Sequence, residues 1–164
     1  MTLPEGTWEA DPRRSEVGFA VKDMWGLRTV RGRFGAYDAG LTVRDGAAAG
    51  ELTIEAATLD TGNDRRDRHL RSSAFFDVDR HPRIVFTATA VSDRAIAGEL
   101  AIGSSRTPLE IPVTVEPADG GALRLDGTTA VSREAAGLPW NRLGMIRGDA
   151  RLHARLTLRR TAPR

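Results

Sequence analysis

The sequence predicts an all-β fold, an antiparallel sandwich or barrel, from three observations. Apolar and polar residues alternate with a period of two in about eight short segments, as half-buried strands do. Turn-forming residues separate these segments, and one short stretch alone has a helical pattern. The repeat of roughly 30 residues that marks β-α-β units is missing. We assign the 164 residues to a single domain, residues 1–164, long enough for a filled core or for a barrel around a cavity.

The first two predicted strands show how such a sheet would curl. One runs from Ser15 to Val21, because an apolar residue stands at every second position. The next runs from Val30 to Tyr37 and contains Gly32 and Gly35. Glycine inside a strand marks a bulge or a sharp bend, and bends of this kind let a sheet close on itself.

The later strands follow the same alternation after a hairpin turn predicted at Arg44-Asp45-Gly46. They are predicted at residues 50–56, 82–91, 95–102, 106–115, 122–131 and 151–159. In the last of these, leucine and alanine alternate with arginine and with His153. His153 therefore lies on the charged face, where we expect a solvated surface residue and not a ligand.

The central segment from Thr61 to Phe86 is the part that does not form a plain strand. A helix is predicted from about Asp64 to Arg71, with Asn63 or Asp64 as its N-cap. Ser72-Ser73 ends this helix or starts a second short turn, and the adjacent pair Phe75-Phe76 needs a place to be buried. The fold therefore contains one or two short helical segments.

Composition excludes several classes of function. The net charge is +2 at pH 7, and cysteine is absent, which excludes disulfides and thiolate sites. The arginines between residues 65 and 83 interleave with aspartates, and no exposed strand aromatics form a stacking platform, so we expect no nucleic-acid partner. No signal peptide pattern and no membrane-spanning apolar run is present, and we expect a cytoplasmic protein.

Catalytic and metal-binding motifs are poorly supported. The chain lacks the Gly-x-Ser-x-Gly elbow and a phosphate-binding loop. His69 and His81 could converge with Asp67 or Asp77 on a metal, but a hydrogen-bonded His69 that holds the helix to the barrel rim explains the same residues better. We therefore predict no catalytic residue, no metal and no cofactor.

Short motifs in a fixed order cover nearly the whole chain. They are Trp8 to Asp11, Ser15-x-Val17-x-Phe19, Arg31-Gly32-x-Phe34, Thr61-Gly62-Asn63, Arg66-Asp67-x-His69-Leu70, Phe75-Phe76-Asp77, Pro82-x-Ile84-x-Phe86, Gly98-x-Leu100-x-Ile102 and Thr107-Pro108-Leu109. This succession resembles the YceI-like family of polyisoprenoid-binding proteins. The resemblance implies an eight-stranded antiparallel lipocalin-like β-barrel whose ligand is a polyprenyl pyrophosphate or an isoprenoid quinone. The resemblance is also compatible with a homodimer, since family members are often dimers.

Strand alternation then predicts which side chains line the cavity. One set is apolar and shares a face on each strand: Phe19, Val21, Phe34, Leu52, Ile54, Ile84, Phe86, Ile111 and Val113. Leu70, Phe75 and Phe76 are expected to anchor the central segment over one end of the barrel. The family tends to carry an aromatic residue soon after the strand that ends at Val131; here alanine occupies that place, and Trp140 is expected to replace the lost bulk.

Arg66, Asp67 and His69 match the family motif residue by residue, and this match suggests a site for a lipid headgroup at the mouth. Arg66 would contact a pyrophosphate as a fork, His69 would donate a hydrogen bond, and Asp67 would orient one of them. The alternative is a closed network that holds the helix to a strand.

The function predicted from sequence is non-catalytic binding or carriage of a long-chain isoprenoid lipid inside the barrel. Two alternatives remain open. One is an enzyme that acts on a small apolar substrate in the same cavity, with Asp67 or His69 as acid-base. The other is a structural stress-response protein with a filled barrel.

Overall fold

The computed structural model describes residues 3–23, 28–73, 76–131 and 147–161. The strands in these ranges are β1 (Gly6–Ala10), β2 (Glu16–Asp23), β3 (Arg28–Phe34), β4 (Tyr37–Arg44), β5 (Ala47–Glu55), β6 (Leu59–Asp60), β7 (Arg83–Val91), β8 (Ala95–Ile102), β9 (Ser105–Pro117), β10 (Leu123–Val131) and β11 (Arg147–Arg160). The same ranges contain the helix α1 (Asp64–Arg71) and short 3₁₀ turns at Pro12–Arg14, Ala56–Thr58 and Asp119–Gly121.

Eight strands form a closed ring. They are hydrogen-bonded in the order β1-β4-β5-β7-β8-β9-β10-β11, and β1 pairs with β11 to complete the circle. Neighbours in this ring pair antiparallel. The ring confirms the eight-stranded antiparallel barrel with a short helix, and strand closure leaves no free edge where the ladders are complete.

Three further strands extend the barrel beyond a bend. β11 pairs with β1 at Leu158 to Arg160, but with β2 at Arg147 to Arg155. β2 then pairs with β3, and β3 with β6. Each of these strands adjoins a strand of the ring in sequence: β2 follows β1, β3 precedes β4, and β6 follows β5. The extension of β2, β3 and β6 is therefore a continuation of the ring strands β1, β4 and β5 past a common bend.

Buried Thr157 holds the bend where β11 changes partners. Its hydroxyl donates to the carbonyl of Arg14 at 2.8 Å, and its main-chain N–H donates to Ser15 Oγ at 3.0 Å. Its own carbonyl accepts from the N–H of Asp11 at 2.8 Å. The polar groups of a 1 % exposed threonine are thus satisfied.

The bend also corrects one predicted element. The segment from Val30 to Tyr37 was predicted as one strand, but β3 ends at Phe34 and β4 begins at Tyr37. Between them, the N–H groups of Gly35 and Ala36 donate to the carbonyl and the hydroxyl of Thr58, each at 3.0 Å. These bonds replace the strand ladder at the point where the chain turns.

The helix α1 spans the predicted residues and begins as predicted. Asn63 is the N-cap, and its side-chain oxygen accepts from the N–H of Arg66 at 3.0 Å. At the other end, the Arg71 guanidinium donates to the carbonyls of Ala57 and Leu59 at 2.9 and 3.0 Å. These bonds attach the helix to the β5–β6 connection, next to the β6 edge of the extension.

None of the helices in the described residues has the length and the apolar character that a membrane-spanning helix requires.

Candidate functional site

The barrel encloses a cavity with an aliphatic lining. The cavity has a volume of about 120 Å³, which is far larger than the roughly 10–15 Å³ that one buried water needs. The described residues that line it are Val17, Gly18, Ala39, Gly40, Leu41, Gly50, Glu51, Leu52, Ile54, Phe86, Ala88, Val91, Ile96, Leu100, Leu109, Ile111, Val113, Leu125, Gly127, Thr129, Leu152, His153, Ala154, Leu156 and Leu158. They belong to β2 and to seven strands of the ring, namely all of its strands except β1.

A row of small residues runs through the wall of the barrel. Cross-strand pairing places Leu41, Gly50, Ala88, Gly98 and Leu109 in one row across β4, β5, β7, β8 and β9. Directly paired residues share a face of the sheet, so the whole row faces inward with buried Leu41 and Ala88. Ala88 contributes only a methyl group to the cavity wall, whereas a Cβ atom added at Gly50 or Gly98 would lie 2.5 or 2.1 Å from a backbone oxygen of the neighbouring strand, so these two glycines allow the strands to approach closely.

Of the described lining residues, three carry a polar side chain. Glu51 accepts a hydrogen bond from the exposed Thr53 hydroxyl at 3.4 Å, which places it on the outer face. His153 lies 3.5 Å from the Glu16 carboxylate and is 38 % exposed, as the alternation predicted. Thr129 has the inward parity of Leu125, so it is the one of the three whose side chain projects from the inward face.

The predicted lining set divides into two groups. Leu52, Ile54, Phe86, Ile111 and Val113 line the cavity. The other four are buried and are not among the described residues that line this cavity: Phe19, Val21, Phe34 and Ile84. Alternation identifies the inward face of a strand, but it carries no information about the position along the barrel axis.

An aromatic cluster, formed by Phe19, Phe34 and Phe76, closes the barrel interior at the end that carries the helix. The Phe19 and Phe34 ring centroids are 5.3 Å apart, and Phe76 meets these rings edge-on at 5.6 and 6.2 Å. Phe76 and Leu70 are buried, and the N–H of Phe76 donates to the Leu70 carbonyl at 3.0 Å. The segment after the helix thus packs over this end of the barrel. Phe75 and Trp140 lie outside the described residues.

Two of the three residues predicted for a headgroup, Arg66 and Asp67, form a hydrogen-bond network with Thr61. The Asp67 carboxylate, 4 % exposed, accepts from the N–H and the hydroxyl of Thr61. Arg66 donates from Nε to the Thr61 hydroxyl at 2.8 Å and from Nη2 to the Thr61 carbonyl at 2.9 Å. Neither residue lines the cavity, and His69 is exposed on the outer side of the helix. Arg66 and Asp67 thus hold the start of the helix to Thr61 at the end of β6, and a headgroup contact of Arg66, Asp67 or His69 stays a prediction.

Three or more His, Asp or Glu side chains do not converge on a possible metal position anywhere in the described residues. His81 instead packs against Gly103, whose positive φ of 58° and missing side chain leave room for the imidazole ring.

Sequence reasoning missed the part of the lining that comes from β11. Leu152, Ala154, Leu156 and Leu158 line the cavity, and they alternate with charged residues along the strand. The alternation predicts the strand, and it also identifies these four residues as the apolar face that points into the barrel.

Comparison with known proteins gives a family match over most of the chain. A family model described as the YceI-like domain matches residues 8–158. A UPF0312 protein of Pectobacterium carotovorum is 27% identical over 114 residues, which cover 65% of this chain and 59% of that protein. A UPF0312 protein of Staphylococcus aureus is 26% identical over 140 residues, covering 80% of this chain and 81% of that protein. The chain thus spans less than two thirds of the Pectobacterium relative.

Solved structures share the fold at low sequence identity. BcnA from Burkholderia cenocepacia superimposes with a TM-score of 0.80 at 20% identity, covering 92% of this chain and 99% of that one. A polyisoprenoid binding domain from Saccharophagus degradans, implicated in plant cell wall breakdown, superimposes with a TM-score of 0.79 at 12% identity. That comparison covers 94% of this chain and 98% of the Saccharophagus domain.

Proposed function

The chain belongs to the YceI-like domain family, and from this premise we propose that it binds an isoprenoid lipid inside the barrel without altering it chemically. The observation that carries the proposal is the aliphatic cavity within a closed ring of strands. An apolar cavity offers water few hydrogen bonds, so it is suited to an apolar guest. The polyisoprenoid-binding domain from Saccharophagus degradans, which shares this fold, adds support for the ligand class.

Hydrophobic burial supplies the driving force for such a ligand. Each CH₂ group moved from water into the cavity contributes about 0.8 kcal/mol. A chain of a few isoprene units therefore gains enough to offset the loss of translational and rotational freedom on binding. Branched isoprenoid methyl groups also suit a wall made of leucine, isoleucine and valine with the small side chain of Ala88 among them.

The described lining favours binding over catalysis. Its inward-facing side chains are aliphatic or aromatic except for Thr129, and a threonine hydroxyl has no base within the described lining to activate it. Glu51 and His153, which could serve as acid or base, direct their side chains to the outer face. Carriage of an intact lipid is the activity that needs only the groups present.

Native mass spectrometry with farnesol, a three-unit isoprenoid alcohol, tests the proposal. Protein freed of bound lipid should take up one farnesol molecule per barrel and should return it unchanged after long incubation. Protein purified directly from cells should carry a bound lipid of isoprenoid mass. Absence of any uptake, or conversion of farnesol to another species, would contradict the proposal.

A matched pair of variants locates the binding site. Ala88→Leu places a larger side chain in the cavity and should weaken farnesol binding about tenfold, because it displaces carbon groups worth about 0.8 kcal/mol each. Ala49→Leu adds the same bulk on the exposed face of the neighbouring strand β5 and should leave binding unchanged. Equal effects of the two substitutions would place the lipid outside the barrel.

A further inference from the structure

The ladder between β9 and β10 stops partway along the strands. β10 pairs with β9 only from Leu123 to Gly127, opposite Pro117 to Val113. Beyond that point, residues 105–112 of β9 pair with β8, and residues 128–131 of β10 pair with β11. In the described part of the chain, these two stretches have no strand between them; we call this gap the seam.

Two prolines keep the β9 side of the seam from pairing. The N–H of Val113 donates to the carbonyl of Arg94 at 2.9 Å, on the β8 side of the strand. Main-chain groups of successive residues point to opposite sides of a strand, so the nitrogens of Pro112 and Pro108 face the seam. Proline has no N–H to donate, and it is confined to strand edges for this reason. Val113 is the last residue of β9 that pairs with β10, and its chain neighbour Pro112 has no partner on β10.

The cavity reaches the seam from both sides. Leu109 and Ile111 line it from β9, and Gly127 and Thr129 line it from β10. Other parts of the barrel interior are filled by aromatic side chains. The aromatic cluster packs next to the helix, and Trp8, 2 % exposed, lies beneath the guanidinium of Arg160 at 4.9 Å. Trp8 and the aromatic cluster do not contact the cavity.

Thr129 carries the one inward-facing polar group of the described lining, and it lies on the edge of the seam. Its hydroxyl donates to the carbonyl of Ala130 at 3.4 Å, which is long for an O–H···O bond, normally about 2.5–3.0 Å. A ligand oxygen at ordinary distance would replace this contact at little cost. No arginine or lysine side chain belongs to the described lining, so among those residues none would balance a buried phosphate.

We propose that the cavity opens through the seam and that the polar end of the ligand lies there, with Thr129 as the residue that selects it. The polar end is an uncharged hydroxyl or carbonyl, and the hydrocarbon tail extends inward from it. This inference rests on the proposed lipid-binding function and names the part of the ligand that the barrel recognises.

Thr129→Val tests the contact, because valine keeps the shape of threonine and removes the hydroxyl. Affinity for farnesol should fall about five- to tenfold, the usual effect of one lost hydrogen bond, while affinity for the matching hydrocarbon without the hydroxyl should not change. Thr128→Val is the control, since Thr128 adjoins Thr129 on β10 but is exposed on the outer face. The wild type should also bind farnesol more tightly than farnesyl pyrophosphate.

The outcomes separate the two proposals. A wild type that binds farnesol and a Thr129→Val variant that binds it equally well would overturn the role of Thr129 and leave lipid binding intact. Equal losses for farnesol and the hydrocarbon would do the same, because a packing change would explain them. A wild type that binds none of the three probes would overturn the proposed function and this inference with it.

Site-specific labelling tests the seam as the route of entry. Because the chain has no native cysteine, an introduced cysteine is the sole thiol that a maleimide can label. A bulky maleimide attached to Thr129→Cys should slow farnesol uptake at least about tenfold relative to the same variant before labelling. Thr114→Cys is the control, because Thr114 is exposed on β9 where the ladder with β10 is intact. Equal uptake rates with both labels would place the entry elsewhere.

Discussion

The main-chain N–H of Thr61 donates to the buried carboxylate of Asp67 at 2.9 Å, and the Thr61 hydroxyl donates to the same oxygen. Thr61 connects β6 to the helix, so Asp67 fastens the first turns of the helix to the end of the strand. The guanidinium of Arg66 contacts Thr61 as well. Arg66 and Asp67 therefore attach the start of the helix to the end of β6, and neither residue lines the cavity.

Asp67→Ala should lower the free energy of unfolding by about 1–3 kcal/mol, because it leaves the buried donors of Thr61 without their acceptor. Urea denaturation measures this loss. Asp64→Ala removes an exposed carboxylate from the same helix turn and should cost less. Farnesol affinity should be the same in both variants. A loss of farnesol affinity at unchanged stability in Asp67→Ala would show that the network contributes to lipid binding.

Phe76→Ala should lower the free energy of unfolding by about 3–5 kcal/mol, the usual cost of removing a fully buried aromatic ring. Phe76 is 3 % exposed and contacts Phe19 and Phe34 edge-on. Phe86→Ala is the informative partner, because Phe86 is less buried and lines the cavity. It should cost less stability and should change farnesol affinity more. The reverse order of stabilities would show that the aromatic cluster does not hold the helix end of the barrel.

Local signals predicted the helix and eight of the described strands, whereas β1, β4 and β6 were not predicted as strands. The helix from Asp64 to Arg71 follows from a cap at Asn63 and from residues within one turn of it, and these interactions need no knowledge of the rest of the chain. The inward face of β7 likewise follows from alternation, because Ile84 is buried while Val85 and Thr87 are less so. Positive φ angles at Asp45 and Gly46 agree with the predicted hairpin turn.

The location of the cavity depends on long-range register, which alternation does not contain. Ile84 and Phe86 are two positions apart on one face, yet one belongs to the closed core and the other to the cavity wall. Phe86 is next to Ala88 on this face, and Ala88 contributes only a methyl group to the cavity wall. A single sequence gives the face of each strand, but the partners of each residue emerge only once the barrel closes.

The pair Gly32→Ala and Gly35→Ala tests the role of glycine in closing the helix end. A Cβ atom at position 32 would lie 2.5 Å from Cζ of Phe19, whereas one at position 35 would lie 3.5 Å from its nearest neighbour, the carbonyl of Thr58. Gly32→Ala should therefore cost about 1–3 kcal/mol by displacing the Phe19 ring. Gly35→Ala should change stability by less than about 1 kcal/mol. Equal unfolding midpoints in urea for the two variants would contradict this account.

Tyr37, the one tyrosine of the chain, should make the barrel sensitive to alkaline pH. Burial raises the pKa of its phenol above the ordinary 10.0, the carboxylates of Glu16 and Asp11 raise it further, and Ser15 partly opposes them. The unfolded chain then loses this proton at lower pH than the folded protein does. Because the folded state holds more protons between the two pKa values, its stability is fully retained below about pH 10 and falls as the pH rises through that window.

Ultraviolet absorbance of the ionised phenol measures this pKa directly, since no second tyrosine contributes to the signal. The folded protein should titrate at higher pH than the urea-unfolded chain does. Tyr37→Phe should remove the signal and should also remove the part of the alkaline destabilisation that belongs to this residue, while the arginines stay charged throughout the range. A folded-state titration at or below that of the unfolded chain would show that the phenol is not held in the buried environment between β4 and the turn at Pro12–Arg14.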